Sequence, residues 1–185
     1  MKTLVIYNSK YGHTKKYAEW LAEDLDAAIC ESKSLKTNML NDYDTLLFGS
    51  SLYASKCEAA NLIAKHFELI KDKIVALFTC GLVDVTKESN IREINSSLDK
   101  VLSSEIRSKI KIFHLRGGID FANLSFIHKS ILKFVYPQFE KKPESERTDF
   151  EIDFLENYGQ TIDFSDKKML EPVIQFATSK AYLSV

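Results

Sequence analysis

A short turn between the first apolar segment and the first helical pattern carries the side chains that an anion-binding site needs. It reads Asn8-Ser9-Lys10-Tyr11-Gly12-His13-Thr14. Ser9 and Thr14 supply hydroxyl donors, and Gly12 allows the backbone to approach a ligand closely. Lys10 and His13 add positive charge. Because a helix N-terminus presents free N–H groups and the positive end of its dipole, the natural ligand of this turn is a phosphate.

Two widespread phosphate-binding patterns do not occur in the sequence. GxxxxGK[ST] and GxGxxG are both missing, which excludes a Walker-type nucleotide loop and the dinucleotide fingerprint. A simpler interpretation of the turn is a polar connection in which Ser or Thr caps a helix. The position of the turn after the first strand of an α/β pattern favours the phosphate over the cap.

The segments that must position this turn alternate between strand and helix patterns. Helical spacing follows the turn itself and recurs at Ala59–Ile70 and at Asn90–Ile106, where Asn90 and Glu93 are interpreted as an N-cap pair. Such alternation predicts an α/β fold, a doubly wound parallel sheet with helices on both faces. The predicted strands are Thr3–Tyr7, Ala28–Glu31, Thr45–Phe48, Lys73–Thr79 and Ile110–Leu115.

The alternation stops after the fifth strand. One apolar helical face, which we expect to pack on the core, ends at Pro137 and consists of Leu124, Ile127, Ile131, Phe134 and Val135. Thr148 and Glu151 form a capping box, and a last helix begins near Pro172. No clear new parallel strand occurs in this region. We therefore predict a single domain over residues 1–185, in which residues 120–164 are a helical insertion before the final helix.

Two further loops fall where a ligand at the phosphate turn would extend. Ligands of open α/β sheets bind beyond the carboxyl ends of the strands, at the switch in strand order. The third and fourth strands end in Gly49-Ser50-Ser51-Leu52-Tyr53-Ala54 and Phe78-Thr79-Cys80-Gly81-Leu82. This mixture of Gly, small polar and apolar residues suits a planar ring. Tyr53 is equally well interpreted as a residue that packs against its neighbours and contacts no ligand. Cys80 is better interpreted as a small buried apolar residue than as a redox-active thiol.

Composition and charge exclude several function classes. The chain has 185 residues, a formal net charge of −1 and a pI near 6.4, which argues against nucleic acid as a partner. Its apolar stretches are too short to span a membrane or to form a signal-peptide core. Three scattered cysteines without a CxxC pair fit a reducing cytoplasm. The histidines lack metal-ligand spacing, so we predict no metal, and we assign no catalytic residue.

Residues 3–14 resemble the start of the flavodoxin family, whose phosphate turn reads roughly Thr/Ser-x-x-Gly-x-Thr. The layout of the whole chain more closely resembles one branch, the flavodoxin-like, menaquinone-dependent protoporphyrinogen dehydrogenases and their flavodoxin-domain relatives. The insertion and the tail around Asp163-Phe164 and Glu171-Pro172 carry this likeness. The resemblance implies a flavodoxin-like five-stranded parallel sheet in the order 2-1-3-4-5, with FMN as the cofactor.

The resemblance also implies which residues bind FMN. The second flavin loop lacks the aromatic residue usual in carrier flavodoxins. Lys10, Tyr11 and His13 replace the small or neutral residues often seen in those carriers. The phosphate would be held by Ser9, Lys10, Gly12, His13 and Thr14, and the flavin by Ser51, Leu52, Tyr53, Ala54, Thr79, Cys80 and Gly81.

Three functions fit these observations. The first is oxidation of protoporphyrinogen IX or a similar small molecule with a quinone acceptor, the second is electron transfer between redox proteins, and the third is regulation by a domain that has lost FMN. Carrier flavodoxins are strongly acidic, whereas this chain is almost neutral, which favours a higher flavin potential and a quinone. Phe126 and Leu132 could touch a porphyrin, a quinone or a membrane surface, and Arg116 and His114 could meet propionates. We expect a cytoplasmic protein with at most peripheral membrane contact.

Overall fold

A parallel sheet forms the centre of the molecule. The computed structural model describes residues 1–52 and 56–179. Its central strands pair in parallel in the order β2-β1-β3-β4-β5. The predicted α/β class and strand order are therefore confirmed. The strands are β1 (Thr3–Asn8), β2 (Ala28–Glu31), β3 (Thr45–Ser51), β4 (Ile74–Gly81) and β5 (Lys111–Arg116).

The sheet is covered by helices on both faces, as continuous apolar strands require. Leu4 and Ile6 face a core shared with α2 and α3, while Val5 faces a second core shared with α1 and α7. Because neighbouring strand residues point to opposite faces, each strand contributes to both cores. In the described residues the helices are α1 (His13–Asp24), α2 (Glu58–Ile70), α3 (Glu88–Leu98), α4 (Ser104–Lys109), α5 (Phe126–Glu140), α6 (Asp149–Asn157) and α7 (Glu171–Thr178).

The predicted single helix over Asn90–Ile106 is wrong at its start and in its middle. The helix begins at Glu88 after the N-cap residue Lys87, so Asn90 is a helical residue rather than a cap. The chain leaves the helix after Leu98, and α4 starts separately because the Ser103 hydroxyl accepts a hydrogen bond from the Ile106 N–H at 3.3 Å. Asn90 is thereby placed on the inner side of the first turn, where it is 1% exposed.

The region after β5 contains a small antiparallel sheet that the sequence analysis did not predict. β6 (Gly118–Asp120) pairs with β7 (Thr161–Asp163), which brings the two ends of the insertion together. A Cβ atom at Gly118 would lie 2.0 Å from the Ile162 carbonyl oxygen, so only glycine allows this pairing. The capping box of Thr148 and Glu151 is confirmed at the start of α6.

Helix α5 differs from its prediction in length and in the face that it buries. It continues through Pro137 to Glu140, although proline was expected to end it. The face that includes Ile127 and Phe134 was expected to pack on the core, yet these side chains are 68% and 72% exposed. The opposite side is buried instead, because the 7%-exposed His128 anchors it against Tyr11.

Within residues 1–52 and 56–179, no helix is both long enough and apolar enough to cross a bilayer.

Candidate functional site

The carboxyl ends of three neighbouring strands meet at one edge of the sheet. Asn8 of β1 pairs with Ser50 of β3, and Ser51 pairs with Cys80 of β4. The strand order changes direction between β1 and β3, so this edge is the topological switch point of the fold. A cavity of about 360 Å³ lies there, lined among others by the predicted site residues Ser9, Lys10, His13, Thr14, Ser51, Leu52, Cys80 and Gly81.

The remaining predicted site residues lie elsewhere or are not described. Gly12 shapes the turn but does not line the cavity. The Thr79 hydroxyl forms a hydrogen bond of 2.7 Å with His114 Nδ1 on the neighbouring strand β5, so it faces that strand and does not line the cavity. Tyr53 and Ala54 fall outside the described residues. The cofactor role of the whole set therefore stays a prediction.

The turn between β1 and α1 has the features of an anion site. Gly12 precedes the helix with a φ of 93°, a left-handed conformation that favours glycine. Among the described residues no side chain caps α1, and its first turn contains no acidic residue. The Gly12 N–H donates to the Ser9 hydroxyl at 3.1 Å. The uncapped positive end of α1, with Lys10 and His13 beside it, fits a phosphate group.

An ion-pair network joins the insertion to this turn. Asp163 of β7 accepts a hydrogen bond from Lys16 Nζ at 2.8 Å and lies 3.2 Å from His13 Nδ1. Burial alone would raise the pKa of Asp163, but the hydrogen bonds from Lys16 and Ser165 and the proximity of His13 hold it far below its usual range. His13 Nε2 is buried with no hydrogen-bond partner among the described residues. A ligand that bonds to Nε2 would satisfy this buried atom.

Four residues of the predicted flavin loops lie in strand ends rather than in loops. Ser51 is the last residue of β3, and Thr79, Cys80 and Gly81 are the end of β4. The predicted boundaries were too short because the hydrogen-bond ladder continues: the Leu52 N–H donates to the Cys80 carbonyl at 2.9 Å. Backbone groups at a strand end are held more firmly than those of a loop, which suits a rigid planar ligand.

Two titratable groups near the switch point are neutral at pH 7. Burial raises the pKa of the Cys80 thiol to about 12, and a hydrogen bond with Thr14 opposes this only in part. Burial, with a smaller contribution from Arg107, lowers the pKa of His114 to about 4. The structure thus places Cys80 as a buried thiol rather than a reactive thiolate.

Arg116 does not extend toward the cavity. Its guanidinium lies 3.9 Å from the centre of the Phe164 ring, and its Nε donates to the Leu82 carbonyl at 3.3 Å. Together with the neutral His114, this position gives no support to the expectation that the end of β5 meets propionates.

Of the cavity wall that α3 and the insertion supply, sequence reasoning named Leu132 as a substrate contact and missed the other residues. His128, Leu132, Val135 and Phe139 line it at a helical spacing of three to four residues. His128 Nδ1 hydrogen-bonds to the Tyr11 hydroxyl, so α5 is attached directly to the phosphate turn. A further signal for this wall was the histidine within a largely apolar stretch. From the other side, α3 contributes Asn90, Glu93, Ile94 and Ser97.

Comparison with known proteins gives a family match over most of the chain. A family model described as a flavodoxin domain matches residues 4–146. A search of curated proteins finds no matching relative.

Solved structures of flavodoxins and flavoproteins are also similar. A flavodoxin from the domain Archaea is 20% identical with a TM-score of 0.42, covering 62% of this chain and 84% of that chain. Oxidised flavodoxin 2 from Bacillus cereus is 19% identical with a TM-score of 0.41, covering 85% and 100%. A flavoprotein from Lactobacillus acidophilus in complex with FMN is 18% identical with a TM-score of 0.38, covering 62% and 91%. At these identities and TM-scores the likenesses carry no weight for the function.

Proposed function

Since the chain belongs to the flavodoxin domain family, we propose that it is an FMN-dependent oxidoreductase that oxidises a reduced small molecule, most specifically a porphyrinogen, with a quinone as acceptor. FMN is the cofactor of this family, which confirms the cofactor predicted from the sequence. In the proposed reaction, two electrons and two protons leave the reduced substrate in each step and convert the quinone to a quinol. When bound, FMN supplies the redox chemistry, and the protein supplies position and access.

The residues of the switch point would hold the cofactor by both of its ends. Ser9, Thr14 and His13 would bind the phosphate at the N-terminus of α1. The strand ends at Ser51 and Cys80 would hold the flavin through backbone groups. These roles are carried over from the family resemblance, and they are supported by the uncapped helix and by the unpartnered Nε2 of His13.

The observation that carries the proposal is the shape of the cavity. The insertion lines the same cavity as the phosphate turn, through Leu132 and Val135 of α5 and Phe154 of α6. An electron carrier needs a flavin edge that a partner protein can approach. A cavity walled by apolar side chains instead suits a small, largely apolar substrate. The near-neutral net charge of −1 favours a flavin potential that matches a quinone.

An anaerobic assay of the FMN-loaded protein with protoporphyrinogen IX and a menaquinone analogue tests this function. We expect porphyrin to form while the quinone is reduced. Reduced pyridine nucleotides should be much poorer electron donors than the porphyrinogen. Porphyrin formation is followed by its fluorescence. A preparation that retains FMN but gives no turnover with several quinones would contradict the proposal.

Electron transfer between redox proteins is the second candidate, and the family match itself favours it. A carrier would accept electrons from a reductase and pass them to an artificial acceptor without oxidising any porphyrinogen. The same preparation therefore distinguishes the two functions when it is assayed in parallel with a flavodoxin reductase and with protoporphyrinogen IX.

Peripheral membrane contact from the cytoplasm is part of the first proposal, because quinones of this class are dissolved in membranes. The outward face of α5 exposes Phe126 at 85% and Phe134 at 72%, and Lys133 lies on the same helix. Apolar side chains next to cations suit an anionic lipid surface. In vesicle sedimentation, Phe126→Ser with Phe134→Ser should reduce binding to anionic vesicles. Equal sedimentation of variant and native protein would contradict this contact.

A further inference from the structure

The cavity extends from the predicted flavin site into a region that we call the α3–α5–α6 end. Its walls are formed by Ile94 of α3, Leu132 and Val135 of α5, and Phe150 and Phe154 of α6. All five side chains are apolar. A molecule that fills this end would be covered mainly by hydrocarbon and aromatic surface, as small aromatic ligands usually are.

Polar side chains reach this end from one face of α3. Asn90, Glu93 and Ser97 line it at spacings of three and four residues. The Asn90 amide nitrogen donates to the Asp84 carbonyl at 2.9 Å and to Asp153 Oδ2 at 3.0 Å. Both N–H groups are thereby used, which fixes the orientation of the amide. Asn90 Oδ1 is buried and has no hydrogen-bond partner in the described part of the chain.

The other two groups on this face also present acceptors. The Ser97 hydroxyl donates to the Glu93 carbonyl at 3.1 Å, so the lone pairs of its oxygen remain for a ligand. The Glu93 carboxylate accepts hydrogen bonds and donates none when it is ionised. A buried acceptor without a donor is unfavourable. A ligand that complements this face must therefore bring N–H or O–H groups.

We propose that the α3–α5–α6 end binds an uncharged aromatic part of the reduced substrate, whose ring N–H or O–H groups donate to Asn90, Glu93 and Ser97. This inference rests on the proposed function, because it names the chemical class of the molecule that is oxidised. A ligand carboxylate at this end would be repelled by the Glu93 carboxylate and could accept no hydrogen bond from Asn90 Oδ1. Any acidic group of the substrate must therefore lie outside the α3–α5–α6 end.

Three probes that share one ring system test the requirement for a donor. Isothermal titration at pH 7 compares 2-naphthol, 2-methoxynaphthalene and 2-naphthoate in both FMN-loaded and FMN-free protein. We expect 2-naphthol to bind roughly tenfold more tightly than 2-methoxynaphthalene, because only the naphthol donates a hydrogen bond to a charged or buried acceptor. We expect 2-naphthoate to bind more weakly than 2-naphthol. Equal affinities for naphthol and methoxynaphthalene would overturn the proposal, and so would a failure of 2-naphthol to bind either form.

Two pairs of variants locate the site. Glu93 is exposed, so Glu93→Ala leaves the packing of α3 intact. It should lower the affinity for 2-naphthol by roughly three- to tenfold and leave 2-methoxynaphthalene unchanged. The control Glu88→Ala removes a carboxylate that pairs with Arg92 on the same helix at 3.3 Å and does not line the cavity. An unchanged 2-naphthol affinity in Glu93→Ala would overturn the proposed contact.

The second pair lies on α5. Val135→Trp should fill the α3–α5–α6 end and prevent binding of both naphthol and methoxynaphthalene. Phe134→Trp places the same side chain on the solvent side of the neighbouring position and should change neither affinity. Full binding in Val135→Trp would show that the probes bind elsewhere.

The outcome of these titrations is independent of the outcome for the proposed function. A protein that does not retain FMN refutes the proposed function, while the probes still report on the cavity of the FMN-free protein. A protein that retains FMN and turns over porphyrinogen, but shows no preference for 2-naphthol, refutes the inference about the α3–α5–α6 end alone.

Discussion

Replacing Thr14 by Val distinguishes a phosphate ligand from a helix cap. Thr14 is 1% exposed and lines the cavity, and its hydroxyl lies beside the Cys80 thiol, which is a weak hydrogen-bonding group. The cap of α1 is Gly12 rather than Thr14. Val has almost the same shape, so the free energy of unfolding without FMN should change by less than about 1 kcal/mol.

The effect on FMN should be much larger. A hydrogen bond from a hydroxyl to a charged phosphate contributes about 1.5–3 kcal/mol, so Thr14→Val should raise the Kd of FMN about ten- to hundredfold. Adding Ser9→Ala should weaken binding further. Titration of FMN fluorescence measures the Kd, and urea denaturation of FMN-free protein measures the free energy of unfolding.

A matched substitution elsewhere in the fold provides the control. Thr45 is also fully buried, and its Oγ1 has no hydrogen-bond partner among the described residues. Thr45→Val on β3 should therefore leave both the Kd of FMN and the stability nearly unchanged. If Thr14→Val instead lowers the stability by about 1 kcal/mol, as loss of a cap does, and leaves the Kd unchanged, the reasoning about the phosphate turn is refuted.

Three other predictions concern the attachment and the independence of the insertion. Asp163→Asn should lower the free energy of unfolding by about 1 kcal/mol at pH 7. Because folding lowers the pKa of Asp163, its stabilising effect is complete above the unfolded pKa near 3.9 and is lost as the pH falls toward the folded pKa. An equal difference between native protein and variant in urea denaturation at pH 7 and at pH 3 would contradict this prediction. His128→Phe should remove the hydrogen bond to Tyr11 and increase the rate of amide hydrogen exchange within α5. The control Phe134→Ala, at an exposed position, should leave that rate unchanged. An unchanged rate in His128→Phe would show that other contacts hold the helix. Residues 120–164 expressed alone should show no cooperative thermal transition by circular dichroism, because a segment of that size is near the lower limit for its own core.

The parallel α/β class and the position of the candidate site could be predicted because they depend on local patterns, whereas the strand order was predicted from the family resemblance. The apolar strands alternate with helical segments, and this alternation alone restricts the sheet to a few parallel topologies. Once Thr3–Asn8 is the first strand, the turn that follows must lie at the carboxyl edge of the sheet. The position of this turn in the fold could therefore be predicted without knowledge of any tertiary contact, and its role in binding phosphate stays a prediction.

The parts that could not be predicted depend on contacts between distant segments. The three-residue strands β6 and β7 are too short to leave a period-two pattern, and they exist because Gly118 allows the backbone of Ile162 to come close. The orientation of α5 was wrong for a similar reason. Apolar residues occur on both of its sides, so periodicity could not choose the buried one, and the choice depends on the hydrogen bond between His128 and Tyr11.

The insertion contacts the turn before α1 and also lines the apolar end of the cavity, which has a consequence for the choice between carrier and enzyme. Asp163 pairs with His13 at the phosphate turn, and Val135 lines the apolar end. In the proposed function, a substrate that reaches the apolar end would therefore contact a segment that is attached to the predicted cofactor site. In a carrier, such a wall would only slow the approach of partner proteins, and the flavodoxin fold does not need it. In an enzyme, the same wall excludes water and holds a small substrate against the flavin, and this requirement gives a physical reason for an insertion at this edge of the sheet.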